Sequence, residues 1–203
     1  MRKSSIEVLR FFFMFLIVLQ HVFVHGLHYQ NDIYSTYPYL NILLLSFSYV
    51  GVTGFMFISG YYGIRFKLNS LISLFNQVLF WSVIIALFCL LYLKNITIND
   101  VIKSFFPISN GGYWWFLKAY FIIYLISPIL EDGIRTITKK KFQIILFIYA
   151  CVIYIGSFIG LSLGTSVYNL LLVYLFGRYV AMYPFLLLDK INYKTFLCIL
   201  FFS

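Results

Sequence analysis

The sequence predicts an all-α protein, a bundle of helices that crosses a membrane several times with its amino terminus in the cytoplasm. Of the 203 residues, 63% are hydrophobic and only 10% are charged, and the mean hydropathy is +0.94. Soluble domains have roughly 45–50% apolar and 25% charged residues, and their interiors are too small for this many large side chains. The apolar residues also come in runs of about twenty, the length that crosses a bilayer. The lipid bilayer is therefore the expected surroundings of most of the chain.

Six apolar segments are long enough to form complete transmembrane helices, and a seventh begins near the carboxy end. They are residues 7–27, 40–64, 71–93, 113–130, 142–160 and 162–181, and the segment that starts at 195. The sixth has Arg178 near its end, so that side chain must reach toward the membrane surface. The last run continues for only about eight residues, which is too short to cross. We expect a single domain over residues 1–203 that is incomplete at its carboxy terminus.

The positions of the basic residues predict the orientation. The chain has 15 Lys and Arg residues, and most fall in short connections that alternating helices place on one side of the membrane. These are Arg2, Lys3, Arg10, Arg65, Lys67, Arg135, Lys139, Lys140, Lys141, Arg178, Lys190 and Lys194. The opposite side has only Lys94 and Lys103. Because Lys and Arg collect in cytoplasmic loops, we expect a multi-pass protein of the cell (plasma or inner) membrane with its amino terminus in the cytoplasm.

The charge and the cysteines exclude several classes of function. A net charge of +9 would suit nucleic acid only if the basic residues were gathered on a water-facing surface, whereas they lie between apolar runs. Cys89, Cys151 and Cys198 lie inside apolar runs, and their spacing fits neither a zinc site nor a CxxC motif. We therefore expect no nucleic-acid partner, no metal and no bound cofactor. The sequence leaves the oligomeric state open.

Ionisable side chains line one face of the first predicted helix. From Arg10 to His21, eleven steps of about 100° return to nearly the same face, roughly 16 Å further along the axis. Glu7 and His25 extend this face by one turn at either end. A charged side chain at the bilayer centre costs about 2.5–3.5 kcal/mol, and such residues usually mark a substrate path or a reaction. We expect this polar face to point into the bundle.

Each member of the polar face also has a purely structural interpretation. Arg10 could serve only to orient the helix, and His21 could form a hydrogen bond to a neighbouring helix. His21 in phase with Arg10, Glu7 and His25 favours function over this alternative. Imidazole is also the side chain best suited to proton transfer near neutral pH.

The opening segment, SIEVLRFFFMFLIVLQH, resembles the first helix of the acyltransferase 3 family of integral membrane O-acyltransferases, which act on surface carbohydrates. In that family an Arg or Lys, followed about three turns later by a His, is essential, and Arg10 and His21 occupy these positions. GFMFISGYYGIRFK and YWWFLKAYFIIYLISPIL are similar to two further family segments. Members usually have more spans than this chain, so the resemblance implies a truncated protein.

Two departures from the family pattern concern candidate binding residues. Many members carry a Glu-containing WSL-type motif where this chain has WFLK at 115–118, and it resembles the branch with a plain WFL motif. Members often have two close arginines after the second span, where this chain has Arg65 and Lys67. The second departure bears on which cation meets the acyl donor.

The resemblance implies an enzyme that transfers an acetyl or other acyl group from cytoplasmic acetyl-CoA to a hydroxyl of a cell-envelope or exopolysaccharide sugar. His21 is then the expected general base, and Arg10 holds the donor or stabilises developing charge. Arg65 and Lys67, with Glu7, are the expected donor- and substrate-binding residues, the two cations engaging the CoA phosphates. For this pair a simple topology signal in a solvated loop is the alternative.

A transporter or exporter of a glycan, a lipid or a small solute is the alternative function for the whole chain. In that case the same polar face would line a passage across the membrane. Transporters of this kind often carry paired broken helices in two related halves. The sequence shows no such repeat, so acyl transfer is the favoured interpretation.

Overall fold

The computed structural model describes residues 4–22, 38–93, 96–106, 115–160 and 167–183, and within these residues every regular element is helical. The predicted all-α class is thereby confirmed. In chain order the helices are α1 (Ser4–His21), α2 (Pro38–Tyr62), α3 (Leu68–Phe88, continued by a π-helical turn at Cys89–Leu93), α4 (Ile98–Ser104), α5 (Trp115–Thr136), α6 (Lys139–Phe158) and α7 (Val167–Met182). His25 and the predicted span that starts at 195 lie outside the described residues.

Two helices in the described part of the chain are long and apolar enough to cross a membrane. They are Leu68–Leu93, with a mean hydropathy of 2.2, and Lys139–Phe158, with a mean hydropathy of 1.8. Helix α7 is apolar but shorter. Large side chains on α6 are strongly exposed, among them Phe147 and Phe158, and exposed apolar surface of this kind marks contact with lipid or protein. The number of spans and the side of the amino terminus stay predictions.

The chain divides into two compact units. The first consists of Met1–Gly63, Thr138–Ile148 and Leu172–Ser203, and the second of Ile64–Ile137 and Tyr149–Leu171. Each unit is therefore assembled from segments that are distant in sequence. The single domain over residues 1–203 stays a prediction.

In the first unit, α1 packs against α2 because glycines on α2 leave room for side chains of α1. A Cβ atom on Gly51 would lie 2.9 Å from the carbonyl oxygen of Phe13, and one on Gly54 would overlap the Phe13 ring. Leu16, on the same side of α1, is buried. The side of α1 that carries Phe13 and Leu16 is therefore the packed side, which fixes where its polar side chains lie.

A second glycine contact in the first unit joins α2 to α7. A Cβ atom on Gly177 would lie 2.5 Å from the carbonyl oxygen of Phe57, and one on Gly60 would overlap the carbonyl group of Tyr174. Both obstacles are backbone atoms, so the two helices touch backbone to backbone at this point. Small residues permit such close crossings in membrane proteins, where packing rather than the hydrophobic effect drives helix association.

In the second unit, α3 packs on α5 through an edge-to-face pair of rings, Phe75 and Phe121, whose centroids are 6.3 Å apart. The same side of α3 buries Val78 and Ser82.

The short helix α4 begins where the Asp100 carboxylate accepts hydrogen bonds from the backbone N–H and the hydroxyl of Thr97, at 2.9 and 2.7 Å. These two bonds hold the pKa of Asp100 below its ordinary value, and they fix the amino end of α4.

Candidate functional site

The polar face of α1 begins with an ion pair. Arg10 Nη1 lies 3.6 Å from Glu7 Oε1, one helical turn away, and both side chains are partly accessible. Ion pairs with this exposure contribute little to stability in water. The pair places the Glu7 carboxylate beside the Arg10 guanidinium on the same face of α1, and the predicted substrate-binding role of Glu7 stays a prediction.

His21 closes the same face at the last turn of α1. Its Nδ1 lies 2.8 Å from the carbonyl oxygen of Ile17. A carbonyl oxygen can only accept a hydrogen bond, so Nδ1 carries the ring proton in the neutral imidazole. Nε2 is then the basic nitrogen, and the bond to Ile17 fixes the plane in which it accepts a proton.

The polar face flanks the contact between α1 and α2. Arg10 is partly buried beside that contact, whereas Glu7 and His21 are exposed. The structure therefore brings Glu7 and Arg10 together and places His21 on the same side, three turns further on. The inward orientation of this face, which the sequence predicts, stays a prediction.

In the second unit, Arg65 and Lys67 lie in the short connection that precedes α3, and both side chains are exposed. The hydroxyl of Tyr124, on α5, holds the backbone of this connection. It accepts the Lys67 N–H at 3.0 Å, and its own hydrogen lies within reach of the carbonyl oxygens of Lys67 at 3.2 Å and Arg65 at 3.4 Å. Tyr124 is buried, and its ring packs against the ring of Phe66, with the two ring centroids 5.5 Å apart. One buried hydroxyl thus fixes the backbone that carries both predicted donor-binding cations.

A proline in α5 changes the hydrogen bonding of the Tyr124 carbonyl. Pro128 has no N–H, so the carbonyl of the residue four positions earlier loses its usual helical partner. That residue is Tyr124, and its carbonyl oxygen accepts a hydrogen bond from the Ser127 hydroxyl at 2.7 Å instead. Side-chain hydroxyls commonly satisfy freed backbone groups in this way within membrane helices. The turn from Tyr124 to Pro128 therefore remains satisfied although one of its backbone bonds is absent.

A shallow, open depression of about 520 Å³ follows one face of α3, and all the side chains that line it are exposed. It is lined by Asn69, Ile72, Ser73, Asn76, Gln77 and Phe80. Four of these six side chains are polar, and the amide nitrogen of Gln77 lies 3.4 Å from the Ser73 hydroxyl oxygen, to which it donates. At about 100° per residue, this face lies roughly opposite the side of α3 that packs on α5. We call it the amide groove.

Neither Tyr124 nor the amide groove is among the features predicted from the sequence. Polar residues at 69, 73, 76 and 77 share one helical face, so their spacing was a usable signal. The Ser127–Pro128 pair indicates a special turn. It does not indicate that the Tyr124 hydroxyl contacts Lys67, which lies 57 positions away. Within the described residues, no group of three or more His, Cys, Asp or Glu could hold a metal ion.

The family of the chain follows from its match to a family model. No curated protein and no solved structure matches the chain significantly. The model of the acyltransferase 3 family, described as an acyltransferase domain, matches residues 3–203, which is nearly the whole chain. Proteins of this family are membrane-associated. The chain therefore belongs to the acyltransferase 3 family and is an acyltransferase.

Proposed function

We propose that the protein transfers the acetyl group of acetyl-CoA to a sugar hydroxyl of a cell-envelope glycan, as a multi-pass protein of the cell membrane. The family match over residues 3–203 supports acyl transfer in general. In the proposed reaction the hydroxyl oxygen attacks the thioester carbonyl. A C–O bond forms, the C–S bond breaks, and the hydroxyl proton passes by way of the enzyme's base to the departing CoA thiolate.

His21 is the proposed general base, and one observation carries this assignment. Because Nδ1 donates to the Ile17 carbonyl at 2.8 Å, Nε2 is the acceptor nitrogen and its direction is fixed. A base that is held in one tautomer can take the hydroxyl proton as the new bond forms, without a prior rearrangement. Arg10, placed by Glu7, would stabilise the negative charge that develops on the attacked carbonyl oxygen.

Arg65 and Lys67 are the proposed partners of the CoA phosphates. Both side chains are exposed on a backbone that the buried Tyr124 hydroxyl fixes. A guanidinium can bind a phosphate through two parallel hydrogen bonds, and an ammonium adds a compact charge. Holding their backbone in place reduces the entropy that is lost when the donor binds.

Reconstituted protein tests the proposed activity. The purified chain in liposomes, given acetyl-CoA with a labelled acetyl group and a glycan acceptor, is expected to release CoA thiol and to form base-labile, labelled O-acetyl ester in equal amounts. Movement of the glycan across the membrane without consumption of acetyl-CoA would overturn acyl transfer and support the transporter instead. CoA release without ester formation would show hydrolysis of the thioester to acetate, with water and not the glycan as the acetyl acceptor, and would contradict the proposed acceptor.

Tyr124→Phe tests the role of the fixed connection. The substitution removes the hydroxyl that holds the Lys67 N–H and its neighbouring carbonyls, and each lost hydrogen bond is worth about 1 kcal/mol, or roughly fivefold in affinity. We expect KM for acetyl-CoA to rise about five- to tenfold, while kcat changes little. Steady-state kinetics with varied donor and saturating acceptor measure KM and kcat separately.

Tyr92→Phe is the matched control, because Tyr92 is exposed at 74% and its hydroxyl is not part of the connection. We expect its kinetics to equal those of the unmodified protein. S-acetylpantetheine, which lacks the nucleotide phosphates, separates positioning from general damage, since Tyr124→Phe should leave its KM unchanged. An equal rise in KM for both donors would contradict the positioning role.

A further inference from the structure

We propose that the amide groove of α3 binds the pantetheine arm of acetyl-CoA, the extended chain that links the phosphates to the thioester. This inference rests on the proposed function and adds a binding site to it. In this proposal, side chains on one face of a single helix recognise the amide groups of the donor. No charged residue takes part in this contact.

The lining of the groove matches the chemistry of that arm. Pantetheine carries two amide groups, and each offers one N–H donor and one carbonyl acceptor. The side-chain amides of Asn69, Asn76 and Gln77 each offer both donors and an acceptor, and Ser73 adds a hydroxyl. Phe80 and Ile72 supply apolar surface for the methylene groups between the amides.

The groove also lies at the right place along the chain. Asn69 follows Lys67 by only two residues, so the groove starts where the exposed cations end. From Asn69 to Gln77, eight residues of helix rise about 12 Å. An arm that extends from phosphates held at Arg65 and Lys67 would begin within one helical turn of this face. Along the protein, the cations Arg65 and Lys67 come first and the uncharged amides of the groove follow. Along the donor, the phosphates come first and the amides of the pantetheine arm follow in the same order.

A polar face in this position can receive an occupant. Helix α3 belongs to the most apolar long segment in the described chain, and its opposite side already packs on α5 through Phe75. Amide groups that face hydrocarbon without a hydrogen-bond partner cost several kcal/mol each. A ligand with matching amides removes that cost, and so would another helix, which is the competing occupant.

Asn76→Leu and Gln77→Leu test the groove with two donors. Both substitutions keep a side chain of similar size and make α3 more apolar, so membrane insertion is preserved. We expect each to raise KM about fivefold or more, the effect of losing one hydrogen bond, for acetyl-CoA and for S-acetylpantetheine alike. Arg65→Gln should raise KM for acetyl-CoA only. Ile85→Ala, exposed on α3 outside the groove, should change neither value.

The outcomes separate this inference from the function on which it rests. If the unmodified protein turns over neither donor, the proposed function fails. If it turns over acetyl-CoA but the two Leu variants keep both KM values, the groove does not bind the arm and the inference is overturned. Unchanged KM values together with a lower midpoint of thermal unfolding, measured without donor, would assign the groove to another helix.

Discussion

Replacing His21 with Ala is expected to lower kcat for acetyl transfer by about 10²–10⁴-fold, the usual contribution of a positioned general base. The substitution removes Nε2, the nitrogen that the bond from Nδ1 to Ile17 orients. It leaves Arg65 and Lys67 untouched, so KM for acetyl-CoA should change little. Labelled acetyl transfer by the purified variant in liposomes, at saturating donor and acceptor, measures the effect.

Val18→Ala is the control on the same helix, because Val18 is exposed at 59% and carries no ionisable group. Its kcat should equal that of the unmodified protein, and both His21 and Val18 variants should reach the membrane in equal amounts. Undiminished acetylation by His21→Ala would remove the imidazole from the mechanism. A transport function would also be visible here, since glycan movement would then respond to His21 without any acetyl-CoA being used.

Gly177→Ala is expected to destabilise the first unit strongly. The added Cβ atom would lie 2.5 Å from the Phe57 carbonyl oxygen and 2.9 Å from the Tyr61 amide nitrogen. Neither obstacle can turn away as a side chain can, so α2 and α7 must separate. Overpacking of this kind costs about 1–3 kcal/mol and more where backbone must move. The midpoint of thermal unfolding in detergent should therefore fall, and Gly60→Ala, at the same crossing, should behave alike.

Gly133→Ala provides the matched control. Gly133 lies in α5, and a Cβ atom there would meet nothing within 4 Å. Alanine loses less backbone entropy on folding than glycine, so this variant should unfold at the same temperature or higher, by a gain of up to about 1 kcal/mol. If Gly177→Ala and Gly133→Ala unfold alike, the close crossing of α2 and α7 does not contribute to stability.

Hydropathy located most of the helices because their apolar runs are long. Predicted segments 40–64 and 142–160 correspond to Pro38–Tyr62 and Lys139–Phe158. Hydropathy cannot fix helix ends, since these depend on caps and turns. Helix α5 continues six residues past the predicted end, through charged residues that lower the hydropathy, and of these Glu131 and Arg135 favour helix. Helix α4 was not predicted, because it is short and its start depends on the carboxylate of Asp100.

The site could be predicted only where it follows from local geometry. The shared face of Arg10 and His21 follows from the helical period, and the structure places both on one side of α1. The hold of Tyr124 on the connection before α3 joins residues 57 positions apart, and a single sequence carries no signal for such a pair. The amide groove lies within reach of the same periodicity, but the predicted span over residues 71–93 contains five of its six residues, without a functional role, and leaves out Asn69.

The Ser127–Pro128 pair gives α5 a preferred pivot. Elsewhere in the helix, bending stretches backbone hydrogen bonds, whereas at this turn one of them is replaced by a hydroxyl that can rotate. Opening the helix there therefore requires less work than at any ordinary turn. Since the pivot includes Tyr124 itself, a tilt of α5 would pull on the Arg65–Lys67 backbone through the Tyr124 hydroxyl, so motion of α5 and the position of the connection before α3 are mechanically linked.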